Sequence, residues 1–597
     1  MACPPPLVGG GPWFARSIQV NRLFRSRHIA EFRRIFQDPI LFIGLVLVAI
    51  FVAVAILAPI YAMVDESRTP EGRELFDRYL NSPVYRTIIL NTLKMGLIVA
   101  TLGTALGFLL AYVQVKVATP FKRLIHIVAL VPIISPPFAL ATAVLILFGR
   151  NGMISEGWFG VRYDIYGLDG LSLVLTMSYF TVAYMNLKGM LQALDPALDE
   201  AATNLGASKW RIFWTVTVPM LIPGIAGSFL LLFVEAIADL GNPLVMGGNY
   251  EVLSTRIYVS IVGLYNTTAA AVLSVILLAP SLLVFMVQRY WISRTSVISV
   301  TGKPSGVSQQ IRHPLVRWPL FAVVMFVVAF ILLVYGTIFA GAFTKILNVN
   351  NEFTLDHFDF VINGYGSEAM KDTTQLSVIA TPLAGILGMI IAFLVARKQF
   401  LGRNALDFAA MLGIAVPGTI IGIGYLLVFN RPTELSLPMI GTIEIIPKLT
   451  GGRAVFGGAA AIVLVYVVRS VPAALRSGVA ALSQIDPSIE EASISLGADN
   501  LGTFLRITLP LVRPAFLSGL IYAFARSMTT ISAIVFLTTP RTKIMTHQIL
   551  NEVENGRYGN AFAYCVILIV IVLVAIGVLS LAVGTASGAE RTMEGGA

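Results

Sequence analysis

About a dozen stretches of this chain run for some 20 residues almost without charge, and that pattern leaves few folds open. A bilayer core of ~30 Å takes about 20 helical residues to cross. Inside it no water reaches an exposed N–H or C=O, so each apolar run has to close its own hydrogen bonds as a helix. Spans are expected at Leu41–Ala62, Ile88–Val115, Leu124–Phe148, Leu171–Leu187, Pro223–Val245 and Ala269–Met286, and again at Trp318–Phe343, Leu376–Ala396, Ala405–Phe429, Val455–Leu475, Pro514–Leu537 and Ala561–Val583. Composition agrees: 56% of residues are hydrophobic and 12% charged, against roughly 25% charged in a soluble domain.

The net charge of +10 would also suit a nucleic-acid binder. In a membrane protein it follows from Lys and Arg collecting in cytoplasmic loops, so the expected surroundings are a lipid bilayer and no nucleic acid. Arg16, Arg22, Arg25, Arg27, Arg33 and Arg34 precede the first span, and Arg289, Arg294, Lys303, Arg312 and Arg317 fall between the two sets of spans. With the short loops "KVATPFKR" and "RKQFLGR" they share one side, which places both termini in the cytoplasm. Arg68, Arg73 and Arg78 lie opposite, mixed with acids. The polar start ahead of Leu41 is too long for a cleaved signal, so the first span reads as an uncleaved anchor. Cys3 and Cys565 fall in a tail and in a span, where no disulfide is expected.

The chain is duplicated. Glu200 matches Glu491, a period of 491 − 200 = 291, and the same period relates Asp195 to Asp486, Pro196 to Pro487, Gly206 to Gly497, Phe213 to Phe504, Thr217 to Thr508, Pro219 to Pro510 and Pro223 to Pro514. Two similar bundles follow, related by a pseudo-twofold axis along the membrane normal, as in transporters built from parallel repeats. The expected division is a basic tail over 1–39, a first membrane domain over 40–290, a Ser/Gly/Pro-rich linker over 291–317, a second membrane domain over 318–585 and a tail over 586–597.

The matched segments, 195–223 and 486–514, are polar islands. "DPALDEAATNLGA" and "DPSIEEASISLGA" each start with Asp-Pro, which suits a first helical turn, and each reaches a glycine where a helix can stop. A second short helix then runs to Pro219 or Pro510. Each copy thus predicts two short helices at an angle on the cytoplasmic face. One such knob alone reads equally as an amphipathic helix on headgroups; two in register favour docking onto a two-fold partner.

Glu200-Ala201-Ala202, with Gly206 six residues on and Pro219 thirteen beyond, resembles the EAA loop of type I ABC importer permeases. Glu491-Ala492, Gly497 and Pro510 match it too, with Ser493 in place of the second alanine. The resemblance covers both halves from Ile88 onward. It implies an all-α polytopic membrane protein of two tandem, pseudo-twofold-related permease bundles with about 12 transmembrane helices. It also implies that these two loops couple to a cytoplasmic ATPase homodimer. No G-x-x-x-x-G-K-[ST] loop is present, so ATP and Mg would belong to that partner, with no cofactor on this chain. H-E-x-x-H and paired C-x-x-C are absent and the 5 histidines are scattered, so neither a catalytic residue nor a metal site is expected and an enzyme is disfavoured. A proton-coupled secondary transporter would need a denser relay of intramembrane acids.

After each loop comes a span of unusual polarity. Glu235 and Asp239, four apart, share one helix face, followed by Asn242; the period relates Glu235 to Arg526 and Asp239 to Thr530. Charges at membrane depth face a cavity or a partner, so Glu235 and Arg526 are expected near the axis. There they either form the gate and pathway or pair structurally. Arg469 is a further buried charge. The stretches "FVEAIADLGNPLVMGGNYEVLSTRIY" and "ARSMTTISAIVFLTTP" resemble fused permeases of ferric-iron importers. That resemblance implies a bacterial inner-membrane complex with an external substrate-binding protein and Fe(III) as cargo; related fused permeases import sugar phosphates, aminoalkylphosphonates or thiamine. In "NEFTLDHFDF", Glu352, Asp356, His357 and Asp359 read as a solvated loop that meets the binding protein, or as metal ligands.

Overall fold

The structure is a computed structural model that describes residues 39–290, 310–437 and 441–594. The basic tail, most of the linker (with Arg294 and Lys303) and the last three residues lie outside them. In the first half the helices are α1 (Leu41–Ser67), α2 (Pro70–Asn81), α3 (Pro83–Lys116), α4 (Lys122–Ile134), α5 (Ala139–Phe148), α6 (Leu168–Ala193), α7 (Pro196–Asn204), α8 (Lys209–Ala238), α9 (Gly241–Met246), α10 (Leu253–Val262) and α11 (Thr267–Tyr290). In the second they are α12 (Pro314–Ala342), α13 (Asp356–Ile362), α14 (Ser367–Arg397), α15 (Arg403–Ala415), α16 (Gly418–Phe429), α17 (Val455–Ser483), α18 (Pro487–Ser495), α19 (Phe504–Thr529), α20 (Met545–Glu554) and α21 (Tyr558–Glu594). Among the described residues the fold is all-α apart from two antiparallel hairpins, Thr344–Ile346 with Asn350–Phe353 and Thr433–Leu437 with Gly441–Ile446.

Among the described residues ten helices are long and apolar enough to span a bilayer, and two further apolar helix pairs are sharply bent. The expected straight spans at Leu124–Phe148 and Ala405–Phe429 are instead the pairs α4 + α5 and α15 + α16, bent by 108° and 106°. Proline explains both breaks. It removes an N–H and pushes the residue before it out of the α region. Ser135 before Pro136 and Val416 before Pro417 are both extended, with ψ of 139° and 128°. Two further boundaries need correction. The helix expected to reach Val245 stops at Ala238, and the one expected to reach Leu537 stops at Thr529. Asp239 and Thr530, 291 apart, are extended with ψ of 131° and 132°. At the C-terminal end α21 runs through the expected tail to Glu594.

Side-chain hydrogen bonds recur at matching places in the two halves. Thr92 Oγ1 accepts from Leu253 N at 2.8 Å, and Thr373 Oγ1 from Met545 N at 2.7 Å. Ser254 donates to Asp239 O, and Thr546 to Thr530 O. Phe213–Thr217 and Phe504–Thr508 are both single π-turns, just ahead of the prolines that interrupt the hydrogen-bond ladder. The leading helix of each half crosses to the other. Pro59 on α1 packs against Gly424 of α16, where Tyr425 Oη donates to Ala55 O at 2.8 Å. Conversely α12 lies on α4 and α5, with Phe330 stacked on Phe148 at 6.1 Å. Glycines set the closest approaches: a Cβ on Gly107 would sit 2.7 Å from Tyr184 N and one on Gly388 2.5 Å from Ala474 Cβ.

Candidate functional site

The two polar segments fold as paired knobs. Asp195 accepts from Ala197 N at 3.0 Å and Asp486 from Ser488 N at 2.9 Å, capping α7 and α18, with Pro196 and Pro487 in the first turn. Each helix ends at a left-handed glycine, Gly206 (φ 80°) and Gly497 (φ 92°). Glu200, Ala201, Pro219, Glu491, Ala492 and Pro510 are exposed, and Ala202 is half-buried. Ser493, the departure from Ala202, is buried, and its hydroxyl meets Thr503 Oγ1 at 2.9 Å, tying α18 to the helical turn Asn500–Thr503. The separate second short helix expected up to Pro219 or Pro510 is instead the start of the spanning helix, continuous from Lys209 in α8 and from Asn500 into α19. Sequence reasoning missed the tips: Leu205 and Leu496, one residue before each glycine and again 291 apart, are 88% and 90% exposed.

It also missed the basic residues beneath them. Lys116, the last residue of α3, contacts Asp199 at 2.6 Å, and Arg397, the last of α14, contacts Glu490 at 3.2 Å. The four side chains are between 8% and 16% exposed. As loop charges these two residues only reported orientation; in the fold each anchors a knob to a spanning helix.

Above the knobs, where α8 and α19 both break, a cavity of about 70 Å³ lies between the halves. Glu235, Asp239, Arg469, Arg526 and Thr530 line it, together with Tyr179 and Pro137. Glu235 and Arg526 do meet: Arg526 Nη2 is 3.3 Å from Glu235 Oε1 and 3.4 Å from Oε2. Their side chains are 18% and 25% exposed, toward the cavity they line. Asp239 is held by neutral donors, with Asn242 N at 2.9 Å, Asn242 Nδ2 at 3.1 Å and the Tyr179 hydroxyl. Asn242 therefore orients Asp239 from behind. Thr530 donates to Arg526 O at 2.6 Å. Arg469 Nη1 donates to Gly413 O and Val416 O at 3.3 and 3.1 Å, the carbonyls left open where α15 breaks. Tyr179 gave no signal in the sequence because an aromatic in an apolar helix normally packs in the core.

On the opposite face the acidic stretch does not gather into a ligand set. His357 faces Asn560 Oδ1 at 2.8 Å and Thr344 O at 3.1 Å, Glu352 pairs with Lys345 at 2.7 Å, and Asp359 accepts from Asn363. Among the described residues no group of three or more His, Cys, Asp or Glu side chains is placed to hold a metal ion.

The model of one protein family, the binding-protein-dependent transport system inner membrane component, matches residues 103–297 and 384–586, once in each half. The chain is 35% identical over 499 residues to the ferric transport system permease protein FbpB of Actinobacillus pleuropneumoniae, covering 82% of this chain and 70% of that one. It is 26% identical over 224 residues to the molybdenum transport system permease protein ModB of Escherichia coli strain K12, covering 36% of this chain and 96% of that one. Among solved structures, a chain of a bacterial ABC transporter involved in the import of the acidic polysaccharide alginate matches with a TM-score of 0.36 and 18% identity, over 45% of this chain and 96% of that chain.

Proposed function

The chain belongs to the binding-protein-dependent transport system inner membrane component family, and from that premise we propose that it carries ferric iron through the bacterial inner membrane as the fused permease of an ABC importer. It is a multi-pass inner-membrane transport subunit. Its two halves form one pathway, and both termini lie in the cytoplasm.

One observation carries the mechanism: two knobs, 291 residues apart, each present an exposed Glu-Ala pair and a bare leucine from a helix capped at one end and closed by glycine at the other. Exposed apolar tips rimmed by polar residues mark docking sites. Glu200, Ala201, Ala202, Gly206 and Pro219 form one coupling surface, and Glu491, Ala492, Gly497 and Pro510 the other. A cytoplasmic ATPase homodimer seats both, and ATP with Mg is bound and hydrolysed there. When the dimer closes, the knobs approach each other. Lys116–Asp199 and Arg397–Glu490 pull α3 and α14 with them, and the halves rock about the axis. Glu235, Asp239, Asn242, Arg469, Arg526 and Thr530 lie on the pathway, with Glu235–Arg526 as its gate. A substrate-binding protein on the outer side supplies cargo, and the name of the FbpB relative supports Fe(III).

The test is ATP hydrolysis by the reconstituted complex with the binding protein empty, loaded with Fe(III), or loaded with a sugar phosphate. Stimulation by the Fe(III)-loaded form alone is expected. Stimulation by the sugar phosphate alone would replace the cargo and keep the permease; no response to any binding protein would remove the importer reading.

A further inference from the structure

Arg469 makes no contact ion pair among the described residues, although the Glu235 carboxylate acts on it from across the cavity. It is 6% exposed and lines the axial cavity, yet its nearest acceptors are two neutral carbonyls, both on Nη1. Its Nε has no partner, and none of the ion pairs among the described residues includes it. A guanidinium at membrane depth pairs with an anion or with backbone carbonyls, but the carbonyls here take only Nη1, and a buried N–H left unbonded is unfavourable. The acids of the cavity are already engaged, Glu235 by Arg526 and Asp239 by Tyr179 and Asn242.

Capping the end of α15 accounts for Nη1 and for nothing else on this side chain. Arg526 stands on the same cavity and holds Glu235 only at 3.3–3.4 Å, longer than the 2.7–2.9 Å of a well-made charged hydrogen bond. Two guanidinium groups thus face about 70 Å³, the share of two or three waters at ~30 Å³ each. Planar guanidinium forks fit the oxygens of phosphate and carboxylate.

We propose that Arg469, with Arg526 opposite, forms an oxyanion-binding position on the pathway, which takes a phosphate or carboxylate group during transport. It rests on the permease reading above and refines its cargo: the oxyanion either accompanies the metal ion or is part of the transported molecule. Tyr179 and Asn242 hold Asp239 aside, and Glu235 yields Arg526 as the oxyanion enters.

The first experiment needs no transport. The full chain in nanodiscs is titrated with inorganic phosphate, and with chloride at equal ionic strength, while its thermal unfolding midpoint is followed. Phosphate is expected to raise the midpoint by several degrees where chloride does not. The Arg469→Gln variant should lose that rise, and Arg469→Lys should keep part of it. If Arg469→Gln does not fold, Tyr179→Phe, which frees Asp239 to compete for the guanidinium groups, should fold and need at least tenfold more phosphate. The proposal is overturned if phosphate and chloride act alike on the natural chain, or if the folded variants respond as it does. A second experiment separates the sources, using uptake into proteoliposomes with the ATPase and binding protein. Fe(III) uptake that falls tenfold without phosphate and returns on its addition marks an accompanying anion; uptake of a phosphorylated solute without metal marks the cargo's own group. Uptake of neither, with the phosphate effect intact in nanodiscs, would fail the importer reading and leave the oxyanion position standing.

Discussion

Glu235 and Arg526 occupy the same position in two copies of one bundle, 291 residues apart, and their side chains meet at 3.3 Å. Equivalent positions can touch only beside the axis that relates them, so the pair locates that axis. In a permease made of two identical chains the same position would place two like charges together. Duplication within one chain lets one copy carry the acid and the other the base.

The first prediction concerns this pair. Glu235→Gln should slow transport at least tenfold while the complex still assembles, because the carboxylate is replaced by a neutral group of the same shape that cannot switch partners. Arg526→Gln leaves a carboxylate unpaired in a largely buried site and should cost about 3–5 kcal/mol. The reversed double variant, Glu235→Arg with Arg526→Glu, should recover much of that stability. Size-exclusion chromatography with uptake assays reads both properties; a Glu235→Gln chain that fails to assemble would show the pair to be a structural tie.

The second concerns the anchors beneath the knobs. Lys116→Met strands Asp199 in a nearly closed site, and a destabilisation of about 3 kcal/mol is expected. Adding Asp199→Leu should restore most of it, a coupling of about 1–3 kcal/mol in a double-mutant cycle. If these anchors transmit motion, the double variant should still bind the ATPase and hydrolyse ATP, but with fewer substrates moved per ATP. An unchanged ratio would reduce them to packing.

Much of this arrangement was legible in the sequence. The apolar runs, the 291-residue period, both knobs and the approach of Glu235 to Arg526 follow from patterns the chain states locally or repeats. The breaks at Pro136 and Pro417 were hidden because an apolar run stays apolar through a bend of more than 100°. The ends of α8 and α19 were hidden for a similar reason, since Leu240 to Val245 and Ile531 to Leu537 carry no charge and only Asn242 and Ser532 as polar side chains. Lys116 and Arg397 carry the right charge for a cytoplasmic loop, and only the fold distinguishes a partnered cation from a solvated one. The placement of Tyr179 against Asp239 depends on where another helix ends, which no local pattern encodes.

A third prediction tests the knob tips. Gly206 and Gly497 hold φ near 80° and 92° with nothing within 4 Å of a built Cβ, so space does not forbid a side chain there. Only backbone conformation does, at about 1–2 kcal/mol for an L residue. Gly206→Ala and Gly497→Ala should each lower stability by that amount, with additive effects because the sites are independent. Asparagine at either position should cost less than alanine. Binding of the ATPase should weaken more than folding does, since the substitution tilts the exposed leucine. Pull-down of the ATPase beside unfolding midpoints separates the two effects.

The last prediction is a pH dependence on the outer face. Glu552 on α20 is 1% exposed and accepts from Arg557 Nε at 2.6 Å, Arg557 Nη2 at 2.9 Å, Asn560 Nδ2 at 3.0 Å and Gln548 Nε2 at 3.3 Å. Burial alone pushes this carboxyl up, but the hydrogen bonds from Arg557, Asn560 and Gln548, with the Arg557 charge, outweigh it and hold the group below its ordinary value. A depressed carboxylate contributes stability that is complete above the unfolded value of about 4.3 and disappears as pH falls through the folded one. Acidification from pH 6 to below about pH 4 should therefore release α20 from the start of α21. Hydrogen exchange over residues 545–560 would report it as lost protection, while α3 and α14 stay protected. In Glu552→Gln the segment should already exchange faster at pH 6 and should not respond further to acid. A variant that keeps the natural pH response would show that another group controls this segment.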